Sequence, residues 1–141
     1  MLKKILYFWP TAIVVCVILY ATLASHPVGA DELPPIPYLD KLIHAIMMGG
    51  LLSAICFDYQ RMKKSESIGG SRVRNVMSFG FLVVVFVIVA IASIGDEYLQ
   101  DAVDNGRSKE WADFVADCIG AIVAALIAPP VIRKVLGIKK D

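Results

Sequence analysis

Reactive residues are scarce in this chain of 141 residues, which has only three cysteines and two histidines. Cys16, Cys56 and Cys118 all fall within apolar runs, where a thiol behaves as a small hydrophobe, so neither a disulfide framework nor a redox function is implied. There is no HExxH pattern and no cysteine pair, which removes the familiar short zinc signatures. Internal repeats and low-complexity tracts are absent. Charged residues make up 19% of the chain and almost cancel, at a formal +1, and no basic face accompanies a soluble reading domain. Nucleic acid is therefore excluded as a partner.

Apolar residues fill the space that is left, at 57% of the chain with a mean hydropathy of +0.67, more than a soluble domain of this length needs. A spanning helix requires roughly 20 mainly apolar residues, and four windows supply them, at residues 5–23, 39–57, 76–94 and 112–132. The expected fold is all-α, a single membrane domain over residues 1–141 built as a bundle of four transmembrane helices. The first window follows Lys3-Lys4 and precedes the small residues Ala21, Ala24, Gly29 and Ala30, as a signal peptide would. Its apolar stretch is longer than an ordinary signal-peptide core of about 7–15 residues, so an uncleaved helix is expected.

Charge sorts by side once the windows alternate across a bilayer. Eleven of the 14 Lys and Arg (Lys3, Lys4, Arg61, Lys63, Lys64, Arg72, Arg74, Arg133, Lys134, Lys139 and Lys140) fall on one side with three acids, a formal +8. The other side has Lys41, Arg107 and Lys109 against ten of the 13 acids, a formal −7. The positive-inside rule puts both termini and the middle loop in the cytoplasm, and three separate segments agree on it. The basic rim suits anionic lipid headgroups, so membrane lipids are expected partners.

The remaining polar residues of the windows gather on the outer side. Asp40 and His44 are spaced i,i+4, Glu97 and Gln100 i,i+3, and Asp113 and Asp117 i,i+4, so each pair shares a helix face. Asp117 lies about 7–8 Å along its helix from the start of the window. An acid at that depth is costly in lipid, about 2.5–3.5 kcal/mol at a helix centre and less near the surface, so it should face the bundle and find partners. The alternative for Asp40 and Asp113 is simple capping and favourable interaction with the helix dipole.

The order Asp40-Lys41-x-x-His44, Glu97-x-x-Gln100, then Arg107, Asp113 and Gly120 resembles the VanZ-like family over about residues 38–125. Two positions depart from the family pattern. Asp117 stands where an Asn is frequent, and Met47 and Met48 occupy a region where an aromatic commonly follows the histidine. The resemblance implies a bacterial cytoplasmic-membrane protein of the cell envelope, linked to tolerance of teicoplanin and related lipid-anchored antibiotics, and supplies no reaction.

Three readings of the outer residues follow. As a binding site, Asp40, Lys41, Gln100, Arg107 and Asp113 hold a lipid-linked or cell-wall ligand, or an antibiotic, while the acids and histidine lock helices together. As a hydrolase acting on an envelope lipid, His44, Glu97 and Asp117 are the catalytic candidates, His44 as general acid or base, with Arg107 holding a phosphate or carboxylate. In a metal-assisted version, His44, Glu97, Asp113 and Asp117 are candidate ligands for a divalent cation. A transporter is disfavoured because the inner halves of the windows carry little beyond small residues such as Ser53, Ser78 and Gly80.

Overall fold

Proline and charge decide where the helices begin and end. The structure, a computed structural model, describes residues 2–23, 38–66, 77–103 and 110–138. They form α1 (Leu2–Ile5), a 3₁₀ turn (Leu6–Phe8), α2 (Trp9–Leu23), α3 (Leu39–Glu66), α4 (Phe79–Val103) and α5 (Trp111–Leu136), with no strand among the described residues. Four helices are long and apolar enough to cross a membrane: Leu6–Leu23, Leu39–Glu66, Phe79–Ala102 and Trp111–Leu136.

Three of these extend beyond the apolar windows. The second helix continues past residue 57 to Glu66, the third runs to Val103 and the fourth to Leu136. Hydropathy marks where lipid would be, whereas helical hydrogen bonding continues through Lys, Gln and Glu, which are good helix formers. Pro129 and Pro130 lie inside α5 and do not end it. The helix stops at Gly137, whose φ of 64° suits a residue without Cβ. Gly137 N–H donates to Lys134 O at 3.2 Å and Ile138 N–H to Arg133 O at 2.9 Å, the paired bonds of a Schellman cap. Lys64 Nζ adds a bond to Leu136 O at 2.6 Å and so ties α3 to the same cap.

The helices alternate in direction. The C-terminal ends of α2 and α4 and the N-terminal ends of α3 and α5 form one end of the bundle, here the acidic end; the opposite, basic end carries Lys4, Arg61, Lys63, Lys64, Arg133 and Lys134. Along α4 the buried residues Val85, Val89, Ser93, Asp96, Glu97 and Gln100 form one stripe at helical spacing, apolar at its start and polar towards the acidic end. Asp113, Asp117, Ala121, Ala128 and Ile132 do the same on α5 in the opposite sense. Met48, Leu52, Cys56, Val85, Val89 and Ala121 fill the middle. Large apolar side chains cover the outside, including Ile46, Ile91 and Leu126 at 64%, 64% and 74% exposure, the arrangement expected where lipid replaces water.

Backbone contact joins α3 to α5. A Cβ on Gly120 would sit 1.9 Å from Ala45 O, and one on Gly49 would sit 2.9 Å from Gly120 O. Ala45 and Gly49 on α3 and Gly120 and Ala124 on α5 therefore form facing small-x-x-x-small pairs, the residues that let two membrane helices touch. This contact holds His44, beside Ala45, against Asp117, one turn before Gly120.

At the basic end, Pro10 has no N–H, and the turn before it is 3₁₀ rather than α. Thr11 N–H donates to Asp58 Oδ2 at 2.9 Å, and Thr11 Oγ1 donates to the same oxygen at 2.7 Å. Arg61 donates to Tyr7 O and lies 3.6 Å from Asp58 Oδ1. Its guanidinium also rests over the rings of Tyr7, Trp9 and Phe57, 5.5 to 5.8 Å from their centroids. Side chains of α3 thus satisfy backbone groups that the proline break leaves exposed. The basic-end half of α3 is consequently less featureless than hydropathy implies, since Asp58 and Gln60 are both fully buried there.

Candidate polar site at the acidic end

Each buried polar residue at the acidic end sits at a helix position that the packing stripe turns inward. His44 is one turn into α3, Ser93, Asp96, Glu97 and Gln100 lie along the last turns of α4, and Asp113 and Asp117 along the first turns of α5. Thr22 near the end of α2 completes the ring. Asp96, Glu97, Asp113 and Asp117 are between 2% and 8% exposed, so four carboxylates are withdrawn from water in one place. Burial of that kind is tolerated only with charge compensation or hydrogen bonds.

Two of the four acids are well held. Asp117 Oδ2 accepts from Ser93 Oγ at 2.5 Å, and its Oδ1 lies 3.3 Å from His44 Nδ1, a contact between α5 and α3 in which neither atom makes a hydrogen bond. Asp96 Oδ1 lies 2.9 Å from Thr22 Oγ1, and Asp96 Oδ2 accepts from Gln100 Nε2 at 3.1 Å. Towards the rim, Lys41 Nζ is 2.6 Å from Asp113 Oδ1, 2.6 Å from Glu110 Oε2 and 3.0 Å from Asp40 Oδ2, one ammonium shared by three carboxylates. Glu97 Oε2 accepts the N–H of Glu110, which opens α5, at 3.2 Å. Glu97 Oε1 is buried without a hydrogen-bond partner.

The helical pairs foreseen in the sequence are redistributed. His44, Glu97, Asp113 and Asp117 come together; one ligand atom from each of His44, Glu97 and Asp113 falls within 4.8 Å of the others. Asp40 stays on the rim with its side chain 64% exposed, touching only the Lys41 side of the group. Gln100 is buried but turned to Asp96. Arg107 lies outside the described residues. Ser93, Asp96, Thr22 and Glu110 belong to the network without having been singled out by sequence. Ser93 to Glu97 and Asp96 to Gln100 repeat the i,i+4 spacing and were legible as two more inward pairs, whereas nothing in the sequence marks Thr22.

Chemically, the group offers an imidazole oriented by a carboxylate, a carboxylate with an open oxygen, and a shared ammonium. Ser93 bonds Asp117 rather than His44, so it is not placed as a nucleophile activated by the histidine. Between α4 and α5, Phe86, Val89, Ala90, Cys118 and Ala121 pack beside Ser93 and Asp117 and leave no room for a water molecule. The polar group at the basic end is separated from this one by Met48, Leu52, Cys56, Val85 and Val89, so among the described residues no continuous polar path crosses the bundle.

A family model described as VanZ/LLP1 matches residues 2–133. No curated protein and no solved structure matches the chain.

Proposed function

This chain belongs to the VanZ/LLP1 family, and we propose from that premise that its acidic end opens outside a bacterial cell and binds a lipid-linked or cell-wall ligand. In this role the protein contributes to tolerance of teicoplanin and related lipoglycopeptides. One observation carries the reading: four buried carboxylates and His44 converge from three helices at one end of the bundle, where a merely structural lock would need far fewer. A cationic group on a ligand is the natural complement of such a cluster. The formal charges of the two ends, with the basic residues gathered opposite, support the outward orientation.

A second reading is favoured by a separate observation, the contact of His44 with Asp117. A carboxylate that orients an imidazole is the usual support of a general acid or base, so hydrolysis of an envelope lipid is the alternative, with His44 moving the proton and Glu97 as the second carboxylate.

The test is teicoplanin susceptibility in a sensitive bacterium producing wild type or Glu97→Gln at matched membrane levels. Wild type is expected to lower susceptibility several-fold and the variant to lose that protection. Equal protection by both would remove Glu97 from the working site, and protection by neither would separate this chain from the antibiotic phenotype.

A further inference from the structure

We infer that His44, Glu97 and Asp113 bind one divalent cation of the zinc or manganese class at the acidic end of the bundle. The inference deepens the reading of that end as a ligand site and rests on it, but concerns the ion rather than the antibiotic. The geometry is the first support. One donor atom from each of the three residues lies within 4.8 Å of the other two, and the three residues come from three different helices, α3, α4 and α5. Donors held at about 2.1 Å from one ion lie at most about 4.2 Å apart, so the trio closes on an ion through side-chain adjustment of about an ångström. One imidazole nitrogen with carboxylate oxygens is a donor set that suits Zn²⁺ or Mn²⁺.

A second support is independent of the clustering. Glu97 is 3% exposed, and its Oε1 has no hydrogen-bond partner although Oε2 is held by the Glu110 N–H. A buried carboxylate oxygen left without a donor is destabilising, and an ion in the centre of the cluster removes that cost. Lys41 does not fill the role, because its ammonium sits among Asp40, Glu110 and Asp113 Oδ1 at the rim. Asp113 can face Lys41 with Oδ1 and the ion with its other oxygen. A divalent ion and Lys41 together set three positive charges against the four buried carboxylates.

Third, the surroundings fit a metal-bound histidine. Asp117 Oδ1 lies 3.3 Å from His44 Nδ1, and Asp117 is itself oriented by the 2.5 Å bond from Ser93. A carboxylate facing one imidazole nitrogen fixes the ring and raises the basicity of the other, the usual outer support of a metal ligand. Asp117 is thus a positioning residue for His44 rather than a member of the trio.

The experiment uses the full chain purified in detergent, stripped with a chelator, desalted and titrated calorimetrically with zinc chloride or manganese chloride alone. Metal content is measured after gel filtration, and thermal unfolding is followed with and without the ion. Wild type is expected to retain one equivalent of one of these ions and to unfold at higher temperature when it is bound. Glu97→Gln and His44→Gln are expected to weaken binding about tenfold or more and to lose the thermal shift, whereas Asp101→Asn, at an exposed acid on α4, keeps both. Glu97→Gln preserves shape, so its unfolding curve without metal separates lost ligation from lost folding. No retained equivalent in wild type, or wild-type affinity in both Glu97→Gln and His44→Gln, overturns the inference. If Glu97→Gln abolishes antibiotic protection while wild type binds no ion, the metal fails and the ligand-site reading stands; if wild type binds one ion and gives no protection, the reverse holds.

Discussion

Asp58 shows how a single side chain can hold a membrane helix that its own backbone cannot complete. Its Oδ2 takes both donors of Thr11, and its Oδ1 faces Arg61, whose guanidinium satisfies the Tyr7 carbonyl on the other side of Pro10. Asp58→Ala removes the acceptor for a buried N–H and leaves Arg61 without its counter-charge, so it is expected to lower stability by about 3–5 kcal/mol. Asp58→Asn keeps an acceptor oxygen and is expected to lose less. Denaturant unfolding in mixed micelles measures both; equal loss would show that charge rather than acceptance from Thr11 governs the site. Hydropathy gives no warning of Asp58, because an acid six residues beyond Leu52 at the basic end reads as a solvated helix end. His44 and Asp117 were legible because depth and i,i+4 spacing are properties of one helix. Thr22, which bonds Asp96, was not, since the rotation of one helix against another is set by packing that a single sequence does not display.

Among the elements, the α3–α5 contact places the histidine. Ala45 O lies where a Cβ of Gly120 would stand, at 1.9 Å, so any side chain at 120 must push the two backbones apart. Gly120→Ala is expected to destabilise the bundle by about 1–3 kcal/mol, the usual cost of overpacking, and to separate His44 from Asp117. Gly50→Ala, one residue from Gly49 but with open space around it, is expected to be neutral or stabilising by up to about 1 kcal/mol. Thermal unfolding of the two variants in detergent gives the comparison; equal behaviour would contradict backbone contact at Gly120. The helices themselves were readable from apolar run length, which is why four windows and four spans correspond. Their ends were less so. Residues 58–66 continue α3 although several are charged, and Pro129-Pro130 sit inside α5, where tertiary contact and the Gly137 cap outweigh the loss of two donors.

For the whole molecule, two polar groups lie at opposite ends of an apolar core, and among the described residues only one holds more buried carboxyl groups than cationic partners. At the basic end, the one buried acid described, Asp58, faces Arg61, and Lys4 and Lys63 pair with Glu66 at 2.5 and 2.9 Å. At the acidic end, Lys41 pairs with Asp113 and the rim acids Asp40 and Glu110, and His44 with Asp117, while Asp96 and Glu97 are held by neutral donors. That asymmetry sets the site apart from ordinary helix locking, and it has functional meaning only if the acidic end meets the ligand's compartment. The positive-inside argument orients it outward through segments far from the site, so orientation can be tested without disturbing the cluster. The decisive measurement is labelling of Tyr38→Cys, 79% exposed at the start of α3, and of Lys134→Cys, exposed at the end of α5, with a membrane-impermeant thiol reagent in intact bacteria. Wild type, whose cysteines all lie within the spans, sets the background. The account predicts that Tyr38→Cys reacts in intact cells and Lys134→Cys reacts only after the membrane is opened. The reverse pattern would turn the buried carboxylates towards the cytoplasm and contradict an extracytoplasmic site.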